Sequence, residues 1–268
     1  MPTATLAEPA IGGLLRHWRE HRRLSQLDLA TLSEVSARHI SFVETGRAKP
    51  SRDMVLRLSE MLDVPLRERN RLLLAGGFAP AYAETAVTSP KMAGVWQAVR
   101  QVLAGHEPYP AVVVDGRWQL LDANEALGLF TAVCAPHVLE PPTNVLRASL
   151  HPEGLAPFIV NLGEWRAHLL SRLRRQAAVT ADAELLELHD ELRAFPCDQP
   201  EPEIESPGAA DVVTPLRLHH PAGELRFFST IATFGTPADI TVAELAIESF
   251  FPADPHTAEV LRAAQAAR

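Results

Sequence analysis

Cysteine is nearly missing from this chain: Cys134 and Cys197 are the only two among 268 residues, far apart and without companions at metal-binding spacing. Their scarcity excludes a disulfide framework and a cysteine-based zinc site, and it fits a reducing cytoplasm. Long apolar runs are missing too. No stretch approaches the roughly 18 residues a membrane-spanning helix needs, and no charged-then-apolar signal pattern opens the chain. G-x-S-x-G, P-loop and G-x-G-x-x-G signatures are absent, so the commonest hydrolase and nucleotide sites have no foothold. Although there are 11 histidines, H-E-x-x-H and His-x-His spacings do not occur. His219 and His220, adjacent in sequence, point to opposite faces if they lie on a strand, so the two rings do not easily share one ion. No catalytic residue, metal site, cofactor or membrane partner is expected.

What is present is a soluble-globular composition, 47% hydrophobic and 22% charged, with an uneven charge distribution beneath the net −8. Residues 1–80 hold 12 Lys+Arg against 9 Asp+Glu, net +3, and the remainder holds 13 against 24, net −11. A basic module ahead of an acidic one confines phosphate contact to the N-terminal part.

The most informative stretch is Ser25–Ser51, SQLDLATLSEVSARHISFVETGRAKPS. Ser25 is an N-cap, and Leu27, Leu29, Ala30 and Leu32 follow at near-helical spacing. A break at Ser33-Glu34-Val35 precedes a second cap at Ser36 and a helix running to about Thr45, where Gly46 stops it. Ile40 and Val43 face inward, while Ala37, Arg38, Ser41 and Phe42 form the outer face. An apolar seam with a free outer face is what a helix-turn-helix requires. Helices at about Ile11–Arg23, from Met54 to Leu62 and at Leu66–Ala75 complete a five-helix domain, residues 11–77, behind a leader of residues 1–10. A Pro/Ala/Thr-rich linker, residues 78–90, precedes a second domain, residues 91–268.

In that second domain, Asp115-Gly116 marks a hairpin, and further strands are expected at about Val212–His219, Leu225–Phe234 and Val242–Phe251. Helices fall at about Lys91–Gly105, Glu125–Val133, Glu164–Gln176, Ala181–Arg193 and from His256, and residues 196–211 read as an irregular loop. Strands in two groups with helices between them predict an α+β, PAS-like domain, an antiparallel sheet covered by helices.

Residues 12–63 resemble the Xre/Cro family of phage-repressor-like DNA-binding domains through Leu15, Arg19, Leu24-Ser25-Gln26, Leu29-Ala30, Val35-Ser36, Ile40, Glu44, Gly46 and Pro50-Ser51. The C-terminal part resembles MmyB-like ligand-binding domains. That likeness rests on His106–Ala111, Trp118 with Asn124, Asn144–Arg147, His151-Pro152, Phe228–Pro237 and Phe251–Asp254. The first resemblance implies that Gln26 clamps a phosphate, that Ser36, Ala37, Arg38 and Phe42 approach bases, and that Arg19 and Glu44 form an internal ion pair. Arg38, whose planar fork matches guanine O6 and N7, is the expected base reader, and Arg47 and Lys49 are expected on backbone phosphate. Phe42 either touches a thymine methyl or covers a core or dimer seam.

Asn124, Asn144 and Arg147 either converge on a ligand head group or cap helices and hold loops. If the PAS-like shell is hollow, residues among Trp118, Phe130, Leu146, Phe158, Trp165, Phe228 and Ile231 line it. The expectation is a cytoplasmic, homodimeric transcription regulator that binds an inverted-repeat operator in double-stranded DNA. Its effector is a small, mainly apolar molecule, fatty-acid-like or a flat metabolite. The alternatives are a ligand-free protein-interaction module in place of the sensor, or a DNA-tethered enzyme.

Overall fold

The computed structural model describes residues 10–202, 214–235 and 237–267. The expected leader up to residue 9, residues 203–211 of the irregular loop and the start of the strand expected from Val212 lie outside the described residues. The chain divides into two units. One runs to Thr85 and includes Pro237–Ala243; the other comprises Ala86–Thr236 and Glu244–Arg268.

Five helices build the first unit: α1 (Ile11–His21), α2 (Gln26–Ser33), α3 (Ala37–Glu44), α4 (Arg52–Met61) and α5 (Leu66–Ala75). Each start in the helix-turn-helix region is written in serine. Ser25 and Asp28 form a reciprocal capping box, Ser36 accepts from the His39 amide and Ser51 from the Met54 amide. The first helix ends two residues before the expected Arg23, which takes a left-handed φ of 57° and turns the chain toward α2. Leu15, Trp18, Leu29, Ile40, Val43, Leu58 and Leu72 close the core. Gly12 lets α1 meet α3, since a Cβ there would stand 2.3 Å from the Val43 carbonyl oxygen. Beyond α5, Asn70 Oδ1 accepts from the Ala81 and Tyr82 amides while its Nδ2 donates to the Tyr82 carbonyl. The proline- and alanine-rich segment is thereby stitched to α5.

The second unit is built on an antiparallel sheet of order β2-β1-β5-β4-β3, the PAS-like arrangement, with β1 (Ala111–Val114), β2 (Leu120–Ala123), β3 (Leu216–Leu218), β4 (Leu225–Thr233) and β5 (Ala246–Pro252). The remaining helices of the chain are α6 (Ala93–His106), α7 (Gly128–Thr131), α8 (Val145–Leu150), α9 (Leu162–Thr180), α10 (Ala183–Ala194), α11 (Ile240–Glu244) and α12 (Pro255–Ala266). Leu146, Leu150, Trp165, Leu169, Leu173, Leu188 and Leu192 from α8, α9 and α10 share one core with Val112, Phe227 and Phe250 of the sheet.

Three local differences from the sequence expectation have physical causes. The strand expected from Val242 begins only at Ala246, because Asp239 Oδ1 accepts from the Thr241 and Val242 amides and nucleates α11. The helix expected over Glu125–Val133 is a 3-10 turn, Glu125–Leu127, followed by the single turn of α7. The hairpin at Asp115-Gly116 closes through the Asp115 carboxylate, which accepts from the Arg117 and Gln119 amides. Its left-handed residue is Trp118, φ 64°, and not the glycine.

Candidate nucleic-acid interface and effector cavity

In the first unit, capping and core packing hold α2 and α3 so that one face stays outward. Arg38, Arg47, Lys49 and Ser36 are exposed, and Ala37, Ser41, Phe42 and Gln26 half-buried. Beneath them lies the ion pair implied by the resemblance: Arg19 Nε and Nη2 reach Glu44 Oε1 and Oε2 at 2.7 and 2.9 Å. Glu44 Oε2 also accepts from Gln26 Nε2 at 2.8 Å. The carboxylate raises the Arg19 pKa through this bidentate bond, so three side chains lock α1, α2 and α3 together. The Arg38 guanidinium lies 5.2 Å from the Phe42 ring centroid. Among the described residues neither Arg38, Arg47 nor Lys49 forms an ion pair. They form a cationic fringe free to meet phosphate and base edges.

The second unit contains a cavity. It is walled by Val112 and Leu120 of the sheet, Phe130 of α7, Leu146 and Ser149 of α8, and Trp165, Leu169 and Arg172 of α9. Glu248 and Phe250 of β5 complete the wall. The cavity volume is about 80 Å³, against the roughly 10–15 Å³ that one water needs. There is room for a molecule of several heavy atoms. One wall is charged: Arg172 Nη1 donates to Glu248 Oε1 at 3.0 Å, and the same oxygen accepts from Ser229 Oγ at 2.9 Å. The Arg172 guanidinium stacks 4.2 Å from the Trp118 ring centroid, whose indole N–H donates to Gln176 Oε1 at 2.7 Å. Trp118 makes both contacts from a left-handed backbone, φ 64°, a conformation rare for a bulky residue. Arg172 Nε and Nη2 are buried and have no hydrogen-bond partner among the described residues. Nearby, His168 stacks on Trp165 at 5.6 Å. Burial, seconded by the Arg172 charge, pushes its pKa down to about 4, so the ring is neutral at neutral pH.

The residues singled out from sequence fall into three groups. Phe130, Leu146 and Trp165 line the cavity, and Trp118 backs it through Arg172. Asn124, Asn144 and Arg147 lie outside the lining. Asn124 bridges the Ala111 amide and the Tyr109 carbonyl, Asn144 caps α8, and Arg147 pairs with Glu191 at 2.6 Å. Phe158 packs against the core, Phe228 stacks on Phe251, and Ile231 is 42% exposed on β4. Arg172 and Glu248 are the additions that the sequence reading missed. Their signal was a charge on an apolar stripe: Arg172 follows Trp165 and Leu169 on one helix face, and Glu248 interrupts Ala-Ile-x-Ser-Phe-Phe. A cluster of His137, His151 and Glu153 brings ligand-type atoms within 4.8 Å of one another. There His151 Nδ1 is already the acceptor for the Glu153 amide.

A helix-turn-helix unit joined to an α+β unit with an internal cavity defines a DNA-binding transcription regulator with a ligand-sensing domain. The comparisons agree. The chain belongs to the family of the MmyB-like transcription regulator ligand binding domain, whose model matches residues 95–264, and a helix-turn-helix domain model matches residues 10–72. Both families are regulatory. No curated protein matches. Among solved structures, an RNA-binding light-oxygen-voltage receptor is 14% identical, covering 97% of this chain and 61% of that one, with a TM-score of 0.29. Another, a structure of a variant of RsLOV, is 11% identical, covering 61% of this chain and 74% of that one, with a TM-score of 0.26. Likeness at these scores carries no functional argument. Among the described residues no helix is long and apolar enough to cross a membrane.

Proposed function

We propose that the chain is a non-enzymatic, homodimeric, cytoplasmic regulator that binds an inverted repeat in double-stranded DNA and releases or engages it according to the occupant of the cavity. Arg38 reads a guanine, Gln26, Arg47 and Lys49 hold phosphates, and Ser36, Ala37, Ser41 and Phe42 shape the contact surface. The effector is a small, mainly apolar molecule bearing a carboxylate or comparable acceptor. The observation that carries this reading is the pair of unpartnered, buried Arg172 nitrogens on the wall of an apolar cavity. A buried donor without an acceptor costs about 1–3 kcal/mol, and more on a cation, which an acceptor on the ligand recovers. A solid protein-interaction module gives those donors no role.

Native mass spectrometry of freshly purified protein, followed by a thermal-shift series of straight-chain carboxylic acids, tests the reading. Acids of matching length are expected to raise Tm and their methyl esters to raise it less. Equal shifts for acid and ester, or no bound species of any kind, overturn the assignment of the head group.

A further inference from the structure

The outer face of α3 presents two side chains in contact, Arg38 and Phe42, one turn apart. The guanidinium sits over the ring at 5.2 Å, Arg38 is exposed and Phe42 half-buried. The Phe42 carbonyl accepts from the Arg47 and Ala48 amides at 2.8 and 3.0 Å, so the backbone behind the ring is fixed by the turn that ends the helix. The exposed arginine thus stacks on a ring whose backbone is fixed. Stacking uses one face of the guanidinium and leaves the fork and the second face open.

That geometry selects more than a guanine. When the fork pairs with guanine O6 and N7, the guanidinium plane aligns with the base. The base 5′ to that guanine on the same strand then projects its C5 substituent toward the guanidinium's open face. A thymine methyl fills that space, and a bare cytosine leaves it empty. We propose that Arg38 and Phe42 act as one unit reading a 5′-pyrimidine-guanine step through the pyrimidine 5-methyl group. The methyl, guanidinium and phenyl stack in that order, so TpG and 5-methylcytosine-guanine are accepted while unmethylated CpG is disfavoured. Phe42 is the positioning residue and Arg38 the one that touches the bases. This inference rests on the DNA-reading role assigned to α3 above. It adds a chemical consequence: cytosine methylation creates binding sites for this protein.

The experiment uses the full-length wild-type chain. Selection from random duplex DNA identifies its site, and duplexes carrying thymine, uracil, cytosine or 5-methylcytosine 5′ to the guanine are then compared by fluorescence anisotropy. Uracil and cytosine are expected to bind about fourfold more weakly than thymine, the worth of one buried methyl, with 5-methylcytosine restoring the affinity. Uracil binding as tightly as thymine, or a selected site lacking any TpG, overturns the proposal and leaves sequence-specific binding intact. No enrichment of any sequence overturns both readings. As a second measurement, Phe42→Leu keeps apolar bulk but removes the plate, and should shrink the thymine-to-uracil ratio toward one. An undiminished ratio assigns the ring to packing alone and overturns its part in the unit.

Discussion

Replacing Arg172 with methionine tests the charged wall of the cavity most directly. Methionine keeps the aliphatic stem against Trp118 and removes the guanidinium. Glu248, whose side chain is 4% exposed, then keeps, among the described residues, only the Ser229 hydroxyl as a side-chain hydrogen-bond partner. Breaking one half of a buried pair costs about 3–5 kcal/mol, mostly because a carboxylate stays buried without compensation. Loss of the stacked cation adds about 1–2 kcal/mol at a desolvated site. The double variant Arg172→Met with Glu248→Gln removes both charges while the Ser229 bond remains available. It should recover most of the loss, ending within about 1–2 kcal/mol of wild type, because the buried pair itself contributes little net stability.

Urea unfolding of the full chain followed by tryptophan fluorescence measures this, provided the transition of each unit is fitted separately. The single variant should lower the midpoint of the second unit's transition only. The same two variants separate folding from binding: both should lose the preference for a carboxylic acid over its methyl ester, although one of them is nearly as stable as wild type. A single variant within about 1 kcal/mol of wild type, or a double variant no better than the single, refutes the buried-pair reasoning.

In the first unit, Arg38→Ala should cost about 1–3 kcal/mol on the selected operator and loosen preference at one base pair, whereas Lys49→Ala should weaken all DNA alike and reduce the salt slope; titrations at several salt concentrations distinguish them. Gly12→Ala forces a Cβ to within 2.3 Å of the Val43 carbonyl oxygen. Because backbone cannot yield, a loss of about 1–3 kcal/mol with weaker operator binding is expected in thermal and anisotropy measurements. His168 has a folded-state pKa of about 4 against an ordinary 6.5, so the unfolded chain takes up a proton that the folded chain refuses. Stability should therefore fall as pH drops from 6.5 to 4, by about 3 kcal/mol at most and less because the ring reaches solvent, and His168→Gln should flatten that slope. Asp239→Ala should leave ligand affinity unchanged and diminish the ligand's effect on operator affinity, which anisotropy titrations with and without ligand measure.

Serine caps, a helically spaced apolar seam and glycine stops are local signals, so α1 to α5 were legible within a residue or two. The sheet was legible as strands, because alternating and β-branched runs report themselves. What local patterns hide is competition between neighbours. Asp239 converts the head of an expected strand into α11 with two side-chain hydrogen bonds, and Trp118, its ring against Gln176 and Arg172, takes the left-handed turn position in place of Gly116. Both outcomes depend on partners far off in sequence or on a cap that a β-propensity reading outweighs. The cavity wall was half legible for the same reason. Apolar lining residues are drawn from the core set that periodicity finds, whereas Arg172 and Glu248 become recognisable only when α9 and β5 face each other.

The placement of Asp239 also bears on how occupancy reaches DNA. Its Oδ2 accepts from Thr85 Oγ1 at 2.6 Å and from the Thr85 amide, and the Ile240 amide donates to the Ala83 carbonyl, so Pro237–Ala243 belongs by its bonds to the unit that carries α3. Against the opposing effect of burial, these bonds and those from the Thr241 and Val242 amides hold the Asp239 carboxyl below the usual carboxylate range. Only Leu245, 1% exposed, separates α11 from β5. Glu248 and Phe250 then follow on β5 as cavity wall. From Glu248, β5 runs in two directions. Its far end runs through Pro252 into α12, capped by Asp254 and seated on the same sheet. The lead-in through α11 ends at Asp239 and Thr85, both in the first unit, and the Asp239→Ala titrations test whether that pair links effector to operator.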